Sequence, residues 1–473
     1  MKTVFPCAPV AALTLTLALA GCASLAPPYQ TPALPVAAAF PEPDTATGAA
    51  AATLAWRDYF TNPRLRQLIA QALENNRDLR IAALRVAEAR AAYGIQRAEQ
   101  FPTIGLGAEA GRSRTPADLS PTRQPLLGSQ YQAGFNVSAW ELDFWGRVRS
   151  LKDAALHSML AGDAARRAVA AGLVAQVADG YLTLRELDER VELARRTVAS
   201  RTESLRIFTR RFEVGSTSKL ELTQVDTLLA QARTLGAQLE QARALRLHAL
   251  EQLVGAPLAP ALAALDAGFD DATVLRELRA GLPSELLAAR PDIAAAEQQL
   301  RAAQANIGAA RAAFFPRITL TSSFGTASAE FDGLFDAGSR AWNLVPRLTL
   351  PIFDAGRNQA GLDLAAVRRD VAVANYEKSV QNAFREVADA MSARRWLAEQ
   401  LRIQQGALAA QTERARLAKL RYDNGATPYL EVLDAQRDLL SAEQQLVQTR
   451  RALLSSQVSL YAALGGGASE PVQ

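Results

Sequence analysis

The sequence predicts a mainly α-helical, internally duplicated fold with a small β part. Three observations predict it: a repeat over nearly the whole chain, helical stretches of unusual length without proline, and four short segments in which apolar residues alternate with period two. Phe101-Pro102-Thr103-Ile104 recurs as Phe315-Pro316-Arg317-Ile318, Asp78-Leu79 as Asp292-Ile293, and Gly94 as Gly308, each 214 residues on (315 − 101). Further along, Gly146-Arg147 answers Gly356-Arg357, and Arg211-Phe212-x-x-Gly215 answers Arg421-Tyr422-x-x-Gly425, now 210 residues apart (425 − 215). The duplicated unit holds no catalytic motif and no nucleotide loop; it alternates long helices with β-hairpins.

The chain opens with a secretory signal over residues 1–21. Met1-Lys2 precedes an apolar stretch, Val10 to Ala20, too short to span a bilayer comfortably. Leu19-Ala20-Gly21-Cys22 resembles the bacterial lipoprotein box, which makes Cys22 the acylated first residue of the mature protein and a membrane tether. An ordinary signal peptide with an incidental cysteine is the competing reading. Ala23, where an acidic residue often marks inner-membrane retention, is consistent with export to the outer membrane. The other cysteine, Cys7, falls in the removed segment, so no disulfide framework remains.

Residues 22–61, rich in Ala, Pro and Thr, read as an extended lipidated leader. A first structural repeat spans 62–255, with helices, a β-hairpin over 102–140 and a long helical hairpin over 146–255. A connector over 256–290 leads to the second repeat at 291–465. That repeat has a helix, a β-hairpin over 316–352 and a helical hairpin over 356–465, and residues 466–473 form a tail.

Phe101-Pro102 ends the first repeat's helix pair, and the period then changes. Ile104, Leu106, Ala108 and Ala110 predict one strand, and Tyr131, Ala133, Phe135, Val137 and Ala139 a second. Residues 111–130, polar and carrying Pro116, Pro121 and Pro125, are expected as a long loop. Ile318, Leu320 and Phe324, then Trp342, Leu344, Leu348 and Leu350, repeat the design. The opposite faces carry Gly, Ser, Thr and Asn. In water, two such hairpins pair into a small sheet on a helix. In a bilayer an open sheet edge is forbidden, and four strands cannot close a channel, so identical copies must complete the barrel.

From Gly146 to Phe212 there is no proline, a helical reach on the order of 100 Å. Val177, Leu184, Val191, Val198, Leu205 and Phe212 mark one seam position, and Leu173, Leu187, Ala194 and Phe208 the other. Arg201 stands where this seam asks for an apolar residue, which predicts looser packing or a polar neighbour. Near the C-terminus Leu433, Leu440, Val447, Leu454 and Tyr461 keep a seven-residue spacing, and Gly255 and Gly465 end the corresponding helices.

In Asn75-Asn76-Arg77-Asp78-Leu79, Trp140-Glu141-Leu142-Asp143-Phe144-Trp145-Gly146-Arg147, Arg290-Pro291-Asp292-Ile293, Ala313-Phe314-Phe315-Pro316, Leu350-Pro351-Ile352-Phe353-Asp354-Ala355-Gly356-Arg357 and Tyr429-Leu430-Glu431-Val432-Leu433-Asp434-Ala435-Gln436, together with the lipoprotein box, the chain resembles the TolC-like outer membrane factors, most closely their lipid-anchored OprM- and NodT-like branch. The resemblance implies a homotrimer. Each protomer gives four strands to a shared twelve-stranded transmembrane β-barrel, and the helical hairpins form a trimeric α-helical tunnel through the periplasm. It further implies a periplasmic membrane-fusion adaptor and an inner-membrane efflux pump of the RND type as partners, outer membrane lipid around the barrel, and a place in the outer membrane of a Gram-negative bacterium. The implied function is the outer membrane channel of a tripartite efflux system for drugs or other small compounds. A conduit for type I protein secretion and a lipid-anchored coiled-coil scaffold are the alternatives.

The family's periplasmic gate maps onto Leu430, Glu431 and Asp434. Leu430 and Asp434, four apart, share a helix face; a seam leucine and a solvated charge are the competing reading. The tip that docks adaptors maps onto Arg211, Val214, Gly215, Ser216 and Thr217, and onto Arg421, Tyr422, Gly425, Ala426 and Thr427, against simple turn and capping chemistry. The residues themselves speak against an enzyme. The only histidines, His157 and His248, sit in long helices, and no cofactor, metal-ligand cluster or phosphate loop is indicated. A net charge of +4 without long basic runs argues against nucleic acid.

Overall fold

A computed structural model describes residues 25–41, 49–260, 278–279, 281 and 283–467. The signal peptide, Cys22, most of the connector and residues 468–473 lie outside the described residues. The chain divides into two compact units. One holds residues up to Ala33, Arg85–Gly162 and Ala296–Tyr376, and the other Leu34–Leu84, Asp163–Ala295 and the residues from Glu377 onward. The main elements are α1 (Pro63–Asn75), α2 (Arg77–Ala98), β1 (Ile104–Thr115), β2 (Leu126–Glu141), α3 (Arg147–Glu213), α4 (Lys219–Val254), α5 (Pro291–Ala312), β3 (Arg317–Ser328), β4 (Arg340–Thr349), α6 (Arg357–Asp423) and α7 (Tyr429–Ala463). The long helices α3 and α6 have 67 residues each. Among the described residues no helix is long and apolar enough to cross a membrane.

In the first unit the four strands form one antiparallel sheet in the order β1-β2-β3-β4. The register sets Leu106 beside Phe135, Phe135 beside Phe324, and Phe324 beside Trp342, so an apolar row crosses all four strands. All four side chains are exposed. The neighbouring rows put Asn136 beside Gly105 and Ser323, and Ser323 beside Asn343, which lie on the opposite face because side chains alternate along each strand. One face is therefore apolar and the other polar. The edges of β1 and β4 have no partner strand among the described residues.

The expected loop over 111–130 is much shorter. Gly111–Thr115 and Leu126–Gln130 pair residue for residue, extending the hairpin to Thr115 and Leu126. Ladder hydrogen bonds are made by the backbone, so the polar side chains that suggested a loop do not interrupt them. A register irregularity between Val137 and Trp140 puts Ala139 at φ 49°, and the Ala139 N–H donates to Thr321 Oγ1 at 3.2 Å.

The junction from strand to helix is fastened by charge and by stacking. Arg147 donates two bonds to Glu141, each 2.8 Å, and Arg317 donates to the same carboxylate at 2.6 Å. Trp145 stacks on Phe315 at 4.8 Å, and its Nε1 donates to the Pro316 carbonyl at 2.8 Å. Asp143 accepts from the N–H groups of Val148 and Arg149, and in the second repeat Asp354 does the same for Gly356 and Asn358. Residues 25–29 of the leader run antiparallel along α5. Arg311 donates to the Leu25 carbonyl, Gln304 to those of Pro27 and Pro28, and Tyr29 to Glu297 at 3.0 Å with Arg301 over its ring.

The second unit holds most of the core. On α1, Leu65, Leu68, Ile69 and Ala72 are fully buried on one face, each large side chain contributing about 1.5–3 kcal/mol. Tyr59 stacks on Tyr461 at 4.1 Å and donates to the Gln457 carbonyl, while Tyr461 donates to Leu54. The two repeats end alike. Gly255 and Gly465 have φ of 75° and 80°, and a β-carbon on either would strike a carbonyl oxygen, of Asn75 at 2.4 Å and of Ala289 at 2.6 Å. The seam of α3 buries Val177, Leu184, Leu187, Val191, Ala194 and Phe208. Phe212 departs from it, lying exposed with Lys219 over its ring.

Candidate functional site

The turns α3–α4 and α6–α7 and the first turns of α7 hold every sequence-predicted residue of the gate and tip, all within the second unit. The turns are built alike. Gly215 and Gly425 take φ of 74° and 70°, which a Cβ would disfavour. The N–H of Ser216 donates to Arg211 O at 2.8 Å, and that of Ala426 to Arg421 O at 2.9 Å. Thr217 donates to Glu221, and Thr427 to Glu431, through the same four-residue spacing. On α4 this completes a capping box with Ser218. At the matching position of α7 stands Pro428, which has no side-chain bond to give.

The two turns are joined to each other. Arg211 donates to the Tyr422 hydroxyl and lies over the rings of Phe208 and Tyr422. Tyr429 packs between Phe208 at 4.5 Å and Tyr422 at 4.8 Å, and its hydroxyl bonds Ser204 at 2.8 Å. Phe208, Val225 and Leu433 form the buried centre of this cluster. Val214 and Leu430 stand exposed, Leu430 at 46 %.

The three residues expected at a gate have different surroundings. Leu430 is free of the core. Asp434 pairs with Arg437 at 3.1 Å, and Arg437 also reaches Asp438 at 3.3 Å, which Arg414 holds at 2.7 Å. Glu431 has partners on the far side of the turn. Arg421 and Thr427 bind its carboxylate, so it ties both residues across the turn, whereas Glu221 also accepts from the Ser218 N–H and caps α4. Its place in the repeat, 210 residues after Glu221 (431 − 221), points to the threonine partner. Arg437, one turn beyond Asp434, escaped the sequence reading, although the i, i+3 spacing of opposite charges announces the pair. Among the described residues no group of three His, Cys, Asp or Glu side chains is placed to hold a metal ion.

The model of a protein family described as outer membrane efflux protein matches residues 68–256 and 282–466. The chain belongs to the outer membrane efflux protein family. Among similar members is the solvent efflux pump outer membrane protein SrpC of Pseudomonas putida, 45% identical over 457 residues that cover 95% of this chain and 96% of that one. A membrane protein from Pseudomonas aeruginosa, solved by crystallography, superposes with a TM-score of 0.88 at 42% identity, covering 94% of this chain and 98% of that one. The open state of the MtrE outer membrane channel of Neisseria gonorrhoeae gives a TM-score of 0.86 at 36% identity, covering 95% and 100%. The expected duplicated fold, long helical hairpins with a strand hairpin in each repeat, is therefore the fold of the TolC-like channels in this family.

Proposed function

We propose that this chain is the outer membrane channel of a tripartite efflux system, carrying drugs or other small compounds out of a Gram-negative cell. Three copies close a twelve-stranded barrel from their four-stranded sheets, and their helical hairpins line one periplasmic tunnel. Acyl chains on Cys22 hold the N-terminus at the outer membrane. The exposed turns around Gly215 and Gly425 receive a membrane-fusion adaptor, and an RND-type inner-membrane pump supplies the energy and selects the substrate. The family is one of efflux conduits rather than of enzymes, and the relatives named for what they export are efflux proteins.

One observation carries the reading: the sheet has an apolar face, a polar face and two open edges. Water does not favour the exposed aromatic row, and a bilayer does not tolerate the open edges, so lipid outside and sister strands at both edges satisfy both demands. The narrow point of the conduit is assigned to Leu430 and Asp434, with Arg437 holding Asp434. Repeated about a threefold axis, these residues make an apolar ring and a charged ring. Single-channel recording in planar bilayers tests both levels. Wild-type protein is expected to conduct, and Leu430→Ala combined with Asp434→Ala to conduct several-fold more. An unchanged double variant removes these residues from the constriction, and a silent wild type removes the conduit in favour of a scaffold.

A further inference from the structure

Arg201 occupies a seam position of α3 that heptad spacing reserves for an apolar side chain. Seven residues to either side, Ala194 and Phe208 are buried against α4, beside Leu239 and Val225 respectively. That register sets Ala232, itself buried, across from Arg201. Arg201 is only 5% exposed, and its Nη1 finds no hydrogen-bond partner among the described residues. On α7 the acids beside Arg437 are taken, Asp434 by Arg437 and Asp438 by Arg414 and Arg437. A guanidinium cannot shed its proton to escape this, so the charge stays buried. Burial pushes its pKa down, Tyr429 opposes this, and the like charge of Arg437 adds a smaller push in the same direction as burial.

Helix α7 is fastened to α3 on both sides of this charge. Toward the turn, Tyr429 bonds Ser204 and packs on Phe208. Away from it, Arg451 reaches Glu186 at 3.0 Å and Arg190 reaches Gln444 at 3.3 Å. Between the two fastenings the packed arrangement keeps an uncompensated cation from water. Any movement that draws the first turns of α7 from α3 hydrates it. Since those turns carry Leu430 and Asp434, what destabilises their packing also favours widening of the constriction.

We propose that Arg201 is a gating residue of the channel, a buried unpaired cation that biases the α7 end away from its packed state. The inference rests on the conduit reading above. Two opposite substitutions remove the unpaired charge: Arg201→Met replaces it with an apolar chain, and Ala232→Asp gives it a counter-ion. Both are expected to raise the thermal midpoint of the purified protein and to lower its conductance about tenfold, the effect of about 1.4 kcal/mol on a two-state equilibrium. A residue kept only for packing gives the reverse, since both changes then disturb a fitted seam. A lowered midpoint in both variants, or conductance at or above wild type, overturns the proposal. A wild-type protein that never conducts overturns the conduit reading and the gating role with it, while the two midpoints still report whether the charge opposes packing.

Discussion

Glu221 and Glu431 stand at equivalent places in the two repeats, each bound by the threonine four residues before it. For Glu221 the Thr217 hydroxyl and the Ser218 N–H hold the carboxyl below its ordinary 4.5. A carboxylate depressed in the folded state contributes stability that is present above its ordinary pKa and lost as pH falls through the depressed value. The α3–α4 turn is therefore expected to stay ordered at neutral pH and to open locally only in acid below the usual glutamate range. Amide exchange of Ser218 measures this directly. Protection should drop on acidification in the wild type, and Glu221→Gln should show weak protection at every pH. A wild-type amide equally protected on both sides of that range removes Glu221 from the cap. The pair also shows what a sequence holds and what it hides: Glu431, expected at the gate, shares its threonine partner with Glu221 through the repeat, but its bond from Arg421 depends on where the turn folds back.

At the scale of the element, α3 carries two kinds of burial. Its apolar seam follows from spacing, and Val177, Leu184, Leu187 and Val191 were readable because a helix buries a stripe. Beside that stripe a second buried surface is ionic. Asp188, its side chain 2% exposed, accepts from Arg243 and is ion-paired with Arg185, both at 2.6 Å, while Glu186 pairs with Arg190 and Arg451. Nothing in the heptad marks these residues, because their partners on other helices lie far away in sequence, Arg243 of α4 for Asp188 and Arg451 of α7 for Glu186. Exposure separates them from surface pairs such as Arg206–Glu203, whose attraction water screens. Asp188→Ala leaves two guanidinium groups in the interior and is expected to cost about 3–5 kcal/mol. Glu203→Ala should leave the denaturation midpoint within error. Chemical denaturation of both variants compares them, and equal midpoints would mean that water reaches the Asp188 site. The strands were legible by the same logic as the seam. Their length was not, since Gly111–Thr115 pair through backbone alone.

For the whole molecule, the proposed channel turns on which face of the sheet meets lipid. Leu106, Phe135, Phe324 and Trp342 form a continuous exposed row, while Ser323 and Asn343 lie in the adjacent row on the opposite face. A single copy leaves that row in water and two strand edges unpaired, so assembly and membrane insertion are expected to be one coupled event. Phe324 and Ser323 are neighbours in sequence but point to opposite sides, which makes them a matched pair for testing. Phe324→Arg puts a cation against acyl chains, at a cost of about 2–4 kcal/mol near the midplane for each copy, multiplied by the copies in the barrel. The membrane-fraction oligomer seen in unheated gels should disappear. Ser323→Arg faces the aqueous side, so the oligomer should persist, and its single-channel current should shift toward anions by added positive charge in the lumen. The reverse pattern, insertion lost with Ser323→Arg and kept with Phe324→Arg, would turn the sheet inside out. Loss of neither would place the sheet in water, because only a hydrocarbon exterior makes one residue's difference in position decide whether the assembly enters a membrane.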